Sequence, residues 1–449
     1  MHTNKNKGNP MTGEWRPGRL LLAAFAVSLL SGCEYIDDAP LLGRYIAKNV
    51  CHDVLVSGYT PAAAIGYVRN IAPPLRNSWN VTLDELTGAV SVRNRWLVNA
   101  GTQRAEVAGE DAVHSCRNLY SGVTPNVPAN LAVPAVSYAF ADAVGQYPEL
   151  QAFVQAQVDA GAPTNTTALL VIYDDQVVAE AYRDGVGPDS PLKGFSMSKS
   201  VANLLVGRLA DQGLLDVQQP LPLSAWQNDA RNQIRWDNVL RMSSGLQWHE
   251  AAIGTNNQQG ILFYGSADPS AYAAQSAVAT APDAAFNYSS GDFMNIATAL
   301  VDNYVNWFDP GWDLGGPFAL EFSPDNRYPL LPEGVSLTTR GWAQLATIYM
   351  QQGRLGDQQI LSPEWVDYSL TSSPANFDYG AGIWLNRGQN LYPNLPVDAF
   401  AFLGSYDRFV AAIPSRKTIF VRIGYSDQPL DFAMEAFMLQ ALALLPAVQ

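Results

Sequence analysis

The sequence predicts a mixed α/β fold: one antiparallel sheet built from strands at both ends of a domain, with a helical insertion between them and a small N-terminal extension. Three observations carry this expectation. Residues 168–173 (ALLVIY) and 177–182 (VVAEAY) flank Asp174, Asp175 and Gln176, as the arms of a hairpin flank its turn. Far downstream, residues 398–403, 408–413 and 418–423 read as three successive strands, with turns at Gly404 and Pro414. Between the two groups the apolar spacing becomes helical.

The clearest helix runs over 196–212. Val201, Leu204, Leu205 and Leu209 give an i, i+3, i+4 stripe interrupted only at Arg208, and Gly213 suits the C-terminal cap. A second helix opens after Gly291. A last one, 432–445, is apolar enough to pack across the sheet.

The chain has 449 residues, too many for a single ordinary core, and a net charge of −14. An acidic surface excludes nucleic acid as a partner and gives no electrostatic attraction to anionic lipid. Residues 1–32 read as a lipoprotein signal peptide. Lys5, Lys7, Arg16 and Arg19 precede an apolar run over 20–30 that is too short to span a bilayer. Leu30-Ser31-Gly32-Cys33 follows, which looks like the lipobox, so Cys33 is the expected lipid-bearing first residue of the mature chain. Glu34, in place of Asp, resembles the signal that sorts to the outer membrane facing the periplasm. Cleavage removes four basic and one acidic side chain, taking the net charge from −14 to −17. The membrane is therefore a partner through the lipid alone.

Residues 33–47 then read as a tether, 48–130 as a unit bracketed by Cys51 and Cys116, and 131–449 as the main domain. The Pro/Asn/Gly/Ser-rich stretch 121–134 marks the boundary. Within the first unit, 89–93 and 95–99 alternate as strands would. Two cysteines in an exported chain point to a disulfide. His52 and His114 beside them supply enough ligands for zinc, although the spacing fits no common zinc motif; no metal or organic cofactor is expected.

No G-x-S-x-G elbow occurs. A Ser-His-Asp enzyme would have to use His52, His114 or His249, and only His249 lies in the main domain. A lysine-assisted serine is the alternative, since Ser-x-x-Lys at a helix start sets hydroxyl and amine one turn apart on one face. Two such units exist. Ser190-Pro-Leu-Lys193 contains Pro191 and is followed by Gly194, so it belongs to a loop. Ser196-Met-Ser-Lys199 leads straight into the helix. A lysine base must be held neutral, by burial and by a neighbour that shares its proton. This draws in Tyr288, which precedes the helix after Gly291.

FSMSKS, VLRMSSGLQW, NYSSGD and the strand pair around Gly404 occur in an order that resembles the serine β-lactamase and penicillin-binding superfamily. The likeness is to the class C-like branch that includes 6-aminohexanoate-dimer hydrolase and related esterases. It runs from about residue 165 to 430, and the Cys51/Cys116 unit resembles the N-terminal extension of some members. The resemblance implies a β-lactamase/DD-peptidase-like antiparallel sheet flanked by helices. It implies an acyl-enzyme on Ser196, proton transfer by Lys199 and Tyr288, and an oxyanion hole from the N–H groups of Ser196 and Ser405, with Ser290 and Gly404 in support.

Two departures follow. Ser290 stands where the Y-x-N motif has Asn, and Phe402-Leu403-Gly404 replaces Lys-Thr-Gly, whose Lys and Thr hold a substrate carboxylate. An ester or amide without that carboxylate is the expected small-molecule substrate. The alternatives are a β-lactamase or peptidoglycan DD-peptidase on the same scaffold, and a non-catalytic envelope binding lipoprotein. Arg408 is the nearest cation, and Trp248, Tyr264, Trp384 and Tyr406 are candidates for an apolar acyl pocket. Globomycin should accumulate precursor that retains residues 1–32, and Cys33→Ala should abolish lipid labelling and membrane fractionation. Persistent labelling of that variant would reject the lipobox.

Overall fold

The computed structural model describes residues 38–446 apart from 71–72, 98–99, 109–114, 127–130, 132 and 251–256. Cys33, the signal segment and His114 lie outside the described residues.

The chain opens with helices α1 (Ala39–Leu55) and α2 (Pro61–Arg69). Thr60 caps α2, its hydroxyl accepting from the Ala63 N–H, and Pro61 sits in the first turn, where a missing donor costs nothing. Residues 39–47, expected as tether, are instead the first half of α1. Leu41, Leu42, Tyr45 and Ile46 are buried there, an apolar face that could not stay in water as a free linker.

Strands β1 (Trp79–Asp84), β2 (Ala89–Asn94), β3 (Thr102–Val107) and β4 (Cys116–Asn118) form an antiparallel sheet in that order, covered by α1. Of the strand expected over 95–99, residues 95–97 are not in a strand. The Asn94 side chain accepts from the N–H groups of Trp96 (2.9 Å) and Leu97 (3.1 Å), turning the backbone away from the ladder; residues 98–99 lie outside the described residues. Cys51 in α1 and Cys116 in β4 are joined by a disulfide across 65 residues, which consumes both thiols of the zinc alternative.

The second part begins with β5 (Ala141–Asp142), helix α3 (Pro148–Asp159), β6 (Thr166–Tyr173) and β7 (Gln176–Tyr182). Asp174 and Asp175 both have positive φ (47° and 61°) and close the β6–β7 hairpin in two residues. Then come β8 (Leu192–Lys193), α4 (Ser198–Asp211), α5 (Ser290–Asn303), β9 (Phe318–Leu320), β10 (Val335–Leu337) and α6 (Thr339–Met350). The chain ends with β11 (Trp384–Leu385), β12 (Phe400–Gly404), β13 (Arg408–Ile413), β14 (Thr418–Gly424) and α7 (Met434–Ala443).

The main sheet has the order β11-β12-β13-β14-β6-β7-β5. It is antiparallel except for the short β5–β7 pair. The C-terminal β14 pairs with the N-terminal β6, Thr418 opposite Tyr173, so one sheet is built from both ends of the domain. Along β6, Leu169 and Val171 face α3 and α7, while Ala168, Leu170 and Ile172 face the other core. Burial on both faces explains why this strand reads as an unbroken apolar run instead of alternating. Apolar residues of α1, β2 and β3 join the same buried cluster as α4, α5 and α6.

The disulfide ties α1 to β4 beneath that shared core. Replacing both cysteines by alanine should lower unfolding free energy by about 2–4 kcal/mol, measured by urea denaturation with and without reductant. An unchanged midpoint would show that the bridge carries no stability.

Candidate active site

The turn that carries Ser196 is held from three sides. Gly194 donates its N–H to the Val335 carbonyl (2.9 Å), and the Val335 N–H donates to the Ser198 hydroxyl (3.0 Å), so β10 grips the chain on both sides of Ser196. Residues Phe195–Met197 form a 3-10 turn before α4 begins at Ser198. Phe195 has φ +49°, a left-handed backbone that a bulky residue adopts only where its surroundings enforce it. On the third side, a Cβ on Gly404 would come 2.2 Å from the Gly194 carbonyl oxygen. Glycine is therefore what lets the end of β12 close over the turn.

Lys199 follows one turn later and is 1% exposed. Its Nζ lies 3.0 Å from Ser196 Oγ, 3.1 Å from Ser290 Oγ and 3.0 Å from the Pro332 carbonyl oxygen. The face of the Tyr288 ring covers it at 4.9 Å. Ser290, standing where an Asn was expected, thus takes up the lysine directly. Ser289 caps α5 through its hydroxyl, which accepts from the Asp292 N–H (3.0 Å).

Ser196, Tyr288, Trp384, Leu403, Gly404 and Ser405 line a cleft of about 290 Å³ together with Glu250 and Gln259. Trp384 stacks on Tyr288 at 5.7 Å. Glu250 was not singled out from the sequence. Its carboxylate accepts from the Trp248 indole N–H (2.9 Å) and from the Ser290 N–H at the start of α5, and its position just after SSGLQWH was the one available signal. Nothing local marked Pro332, whose carbonyl acts from 133 residues away.

Other expectations are redirected. Arg408 is buried and donates to the carbonyls of Lys193 and Gly424; it is not a free cation in the cleft. Lys193, the lysine of the rejected Ser-x-x-Lys, is buried between Glu321 (2.8 Å) and Glu333 (3.4 Å), and Lys48 pairs with Glu321 at 2.7 Å. Burial would raise the Glu321 carboxyl, but Lys193 and Lys48 hold it down at about 2. His52 is bound by the hydroxyls of Ser115, Ser57 and Ser336, and burial lowers it to about 3. His249 is exposed and is not among the described residues lining the cleft. Trp248 packs against Gly291, whose Cβ would meet its ring at 2.6 Å, and so belongs to the core.

Residues 150–304 match the family model described as Beta-lactamase. The chain carries a β-lactamase-family domain. Over 58 residues the chain is 43% identical to 6-aminohexanoate-dimer hydrolase of Paenarthrobacter ureafaciens, covering 13% of this chain and 15% of that protein's length. Among solved structures, the chain shares its fold with a candidate β-lactamase from Bacteroides dorei. That match has a TM-score of 0.53 at 16% identity and covers 68% of this chain and 100% of the other. EstCE1, a hydrolase with promiscuous acyltransferase activity, gives 0.50 at 15% identity over 66% and 97%.

At the start of α5 in this domain, Asp292 is buried, with Oδ1 accepting from the Ser244 hydroxyl (2.9 Å) and Oδ2 lacking a partner. Burial raises its carboxyl to about 8 against the opposing Ser244 and Ser289 hydrogen bonds. The folded state therefore binds a proton that the unfolded state has released between pH 4 and 8. This contribution is full in acid and is lost as pH rises through about 8. Asp292→Asn should gain stability over wild type by more than about 1 kcal/mol between pH 5 and pH 9, read from urea midpoints. A pH-independent difference would mean that Asp292 is ionised in the fold.

Proposed function

We propose that this protein is a serine hydrolase of esters or amides that works through an acyl-enzyme on Ser196. The observation that carries the reading is the 3.0 Å contact between Lys199 Nζ and Ser196 Oγ inside a cleft bordered by Gly404 and Ser405. The Pro332 carbonyl can only accept a hydrogen bond. A neutral Lys199 amine can donate to it and to Ser290, leaving its lone pair for the Ser196 O–H.

In this mechanism Lys199 takes the Ser196 proton as Oγ attacks the substrate carbonyl carbon. The oxyanion lies against the N–H groups of Ser196 and Ser405. The Tyr288 ring face stabilises the ammonium that forms. Ser290, and the Tyr288 hydroxyl as second carrier, return the proton to the leaving group. Water then enters, gives its proton back along the same path, and releases the acid.

Substrates without a carboxylate fit better than penicillins or peptidoglycan stems. Phe402 is in the core, Leu403 faces the cleft, and no Lys or Arg is among the described residues lining it. We also propose that the mature chain is anchored in the cell envelope through Cys33, facing the periplasm; the 30–33 motif supports this.

Ser196→Ala should abolish fluorophosphonate labelling and p-nitrophenyl ester hydrolysis. Lys199→Ala and Ser290→Ala should each lower turnover by about two to four orders of magnitude, and His249→Ala should change little. An inactive His249→Ala beside an active Lys199→Ala would overturn the lysine mechanism. An unlabelled wild type would favour a binding module, and efficient nitrocefin turnover a β-lactamase.

A further inference from the structure

Beside the nucleophile cleft lies a larger cavity of about 540 Å³, sharing Gln259, Gly404 and Ser405 with it. Its volume is in the range that accepts a ring-bearing small molecule. One wall comes from outside the β-lactamase-family match: Leu42 and Tyr45 on α1, and Tyr67 near the end of α2. Phe195, Tyr406 and Tyr425 continue the lining, Tyr425 stacking on Tyr67 at 5.4 Å.

The wall is aromatic, and its polar atoms are already engaged. Tyr45 and Tyr406 hydrogen-bond each other through their hydroxyls. Tyr264 donates to Glu333 (2.9 Å), Tyr67 to Asp184 (2.5 Å) and Tyr425 to Asp53 (2.7 Å). With each phenol tip committed to protein, ring surface is what remains for a ligand.

The carboxylates of the lining are also hydrogen-bonded to protein. Glu333 is held by Lys193 and Tyr264, Asp407 by the N–H groups of Leu430 and Phe432, and Asp427 by the amides of Asn70 and Asn165. No Lys or Arg is among the described lining residues. The nearby cations are covered by rings: Arg408 by Phe195 (4.8 Å) and Tyr425 (4.4 Å), Lys193 by Phe195 (4.7 Å), and Lys48 by Tyr264 (5.5 Å). The cavity thus offers apolar area beside the nucleophile, with three hydrogen-bonded carboxylates and no cation among its described lining residues.

We infer that this cavity receives a bulky, uncharged, apolar part of the substrate, and that α1 and α2 set the size accepted. The inference rests on the hydrolase reading, and it names the substrate class that reading leaves open. Binding there would draw on burial of ring and chain surface, and an added carboxylate would enter without a cation to pair with.

The test uses the full chain and two neutral esters, p-nitrophenyl acetate and p-nitrophenyl 4-phenylbutyrate. Labelling of Ser196 by a small ethyl fluorophosphonate separately reports whether the hydrolase machinery is intact. Wild type should favour the phenylbutyrate in kcat/KM by about tenfold or more, and Leu42→Trp should erase that preference while acetate turnover stays within about threefold. Should Leu42→Trp fail to fold, Gln428→Trp at the exposed rim fills the same space and should give the same split. Equal loss on both esters in a labelled variant would overturn the inference, as would a wild-type preference for acetate. Faster turnover of the ω-amino or ω-carboxy analogue than of the phenylbutyrate would also overturn it. Absence of fluorophosphonate labelling in wild type would instead remove the hydrolase reading itself.

Discussion

Lys193 cannot move without exposing two carboxylates to an apolar interior. Its ammonium lies between Glu321 and Glu333 and also donates to Asn49 of α1 (3.2 Å), while its carbonyl receives Arg408. The residue after it is Gly194, on which the turn that carries Ser196 hangs. Glu333 follows Pro332, whose carbonyl holds Lys199. Both supports of the Ser196–Lys199 pair are therefore anchored in one buried, charge-balanced cluster. Removing a single member of such a cluster strands its partner in low dielectric, at a cost of about 3–5 kcal/mol. The cluster fixes position more than it adds net stability.

That anchoring ties the N-terminal segment to the part of the chain that carries Ser196. Lys48 and Asn49 come from α1, Lys193 from β8, Glu321 and Glu333 from the stretch around β9 and β10. Burial lowers Lys48 despite Glu321, whereas Lys193 is raised because both glutamates outweigh its burial. Of the two lysines, Lys193 is the more firmly charged. The apolar cluster that runs from α1 through α4 to α6 excludes water around these charges.

Much of this was legible where the information is local. The β6–β7 hairpin, the three C-terminal strands and the Ser196/Lys199 spacing are each settled by a few neighbouring residues. The tether was misread because an apolar face such as Leu41, Leu42, Tyr45 and Ile46 has meaning only once its partner surface is known. Residues 95–97 were misread as strand because the Asn94 side chain outcompetes the ladder. Lys193 was set aside as a base, and its ionic partners lie 128 and 140 residues away, beyond any spacing rule. The same holds for Pro332, a backbone atom with no side-chain signature.

The pairing of β14 with β6 joins residues roughly 250 positions apart, and it has a consequence for the order of events during synthesis. The turn that carries Ser196 is synthesised first, while β12, which closes over it, and β14, which completes the sheet, come near the end of the chain. Contacts of such long sequence separation form only after the intervening loop closes. A growing chain therefore holds Ser196 and Lys199 without the strand that caps them. The surroundings of that pair are therefore complete only once the last strands of the sheet have joined.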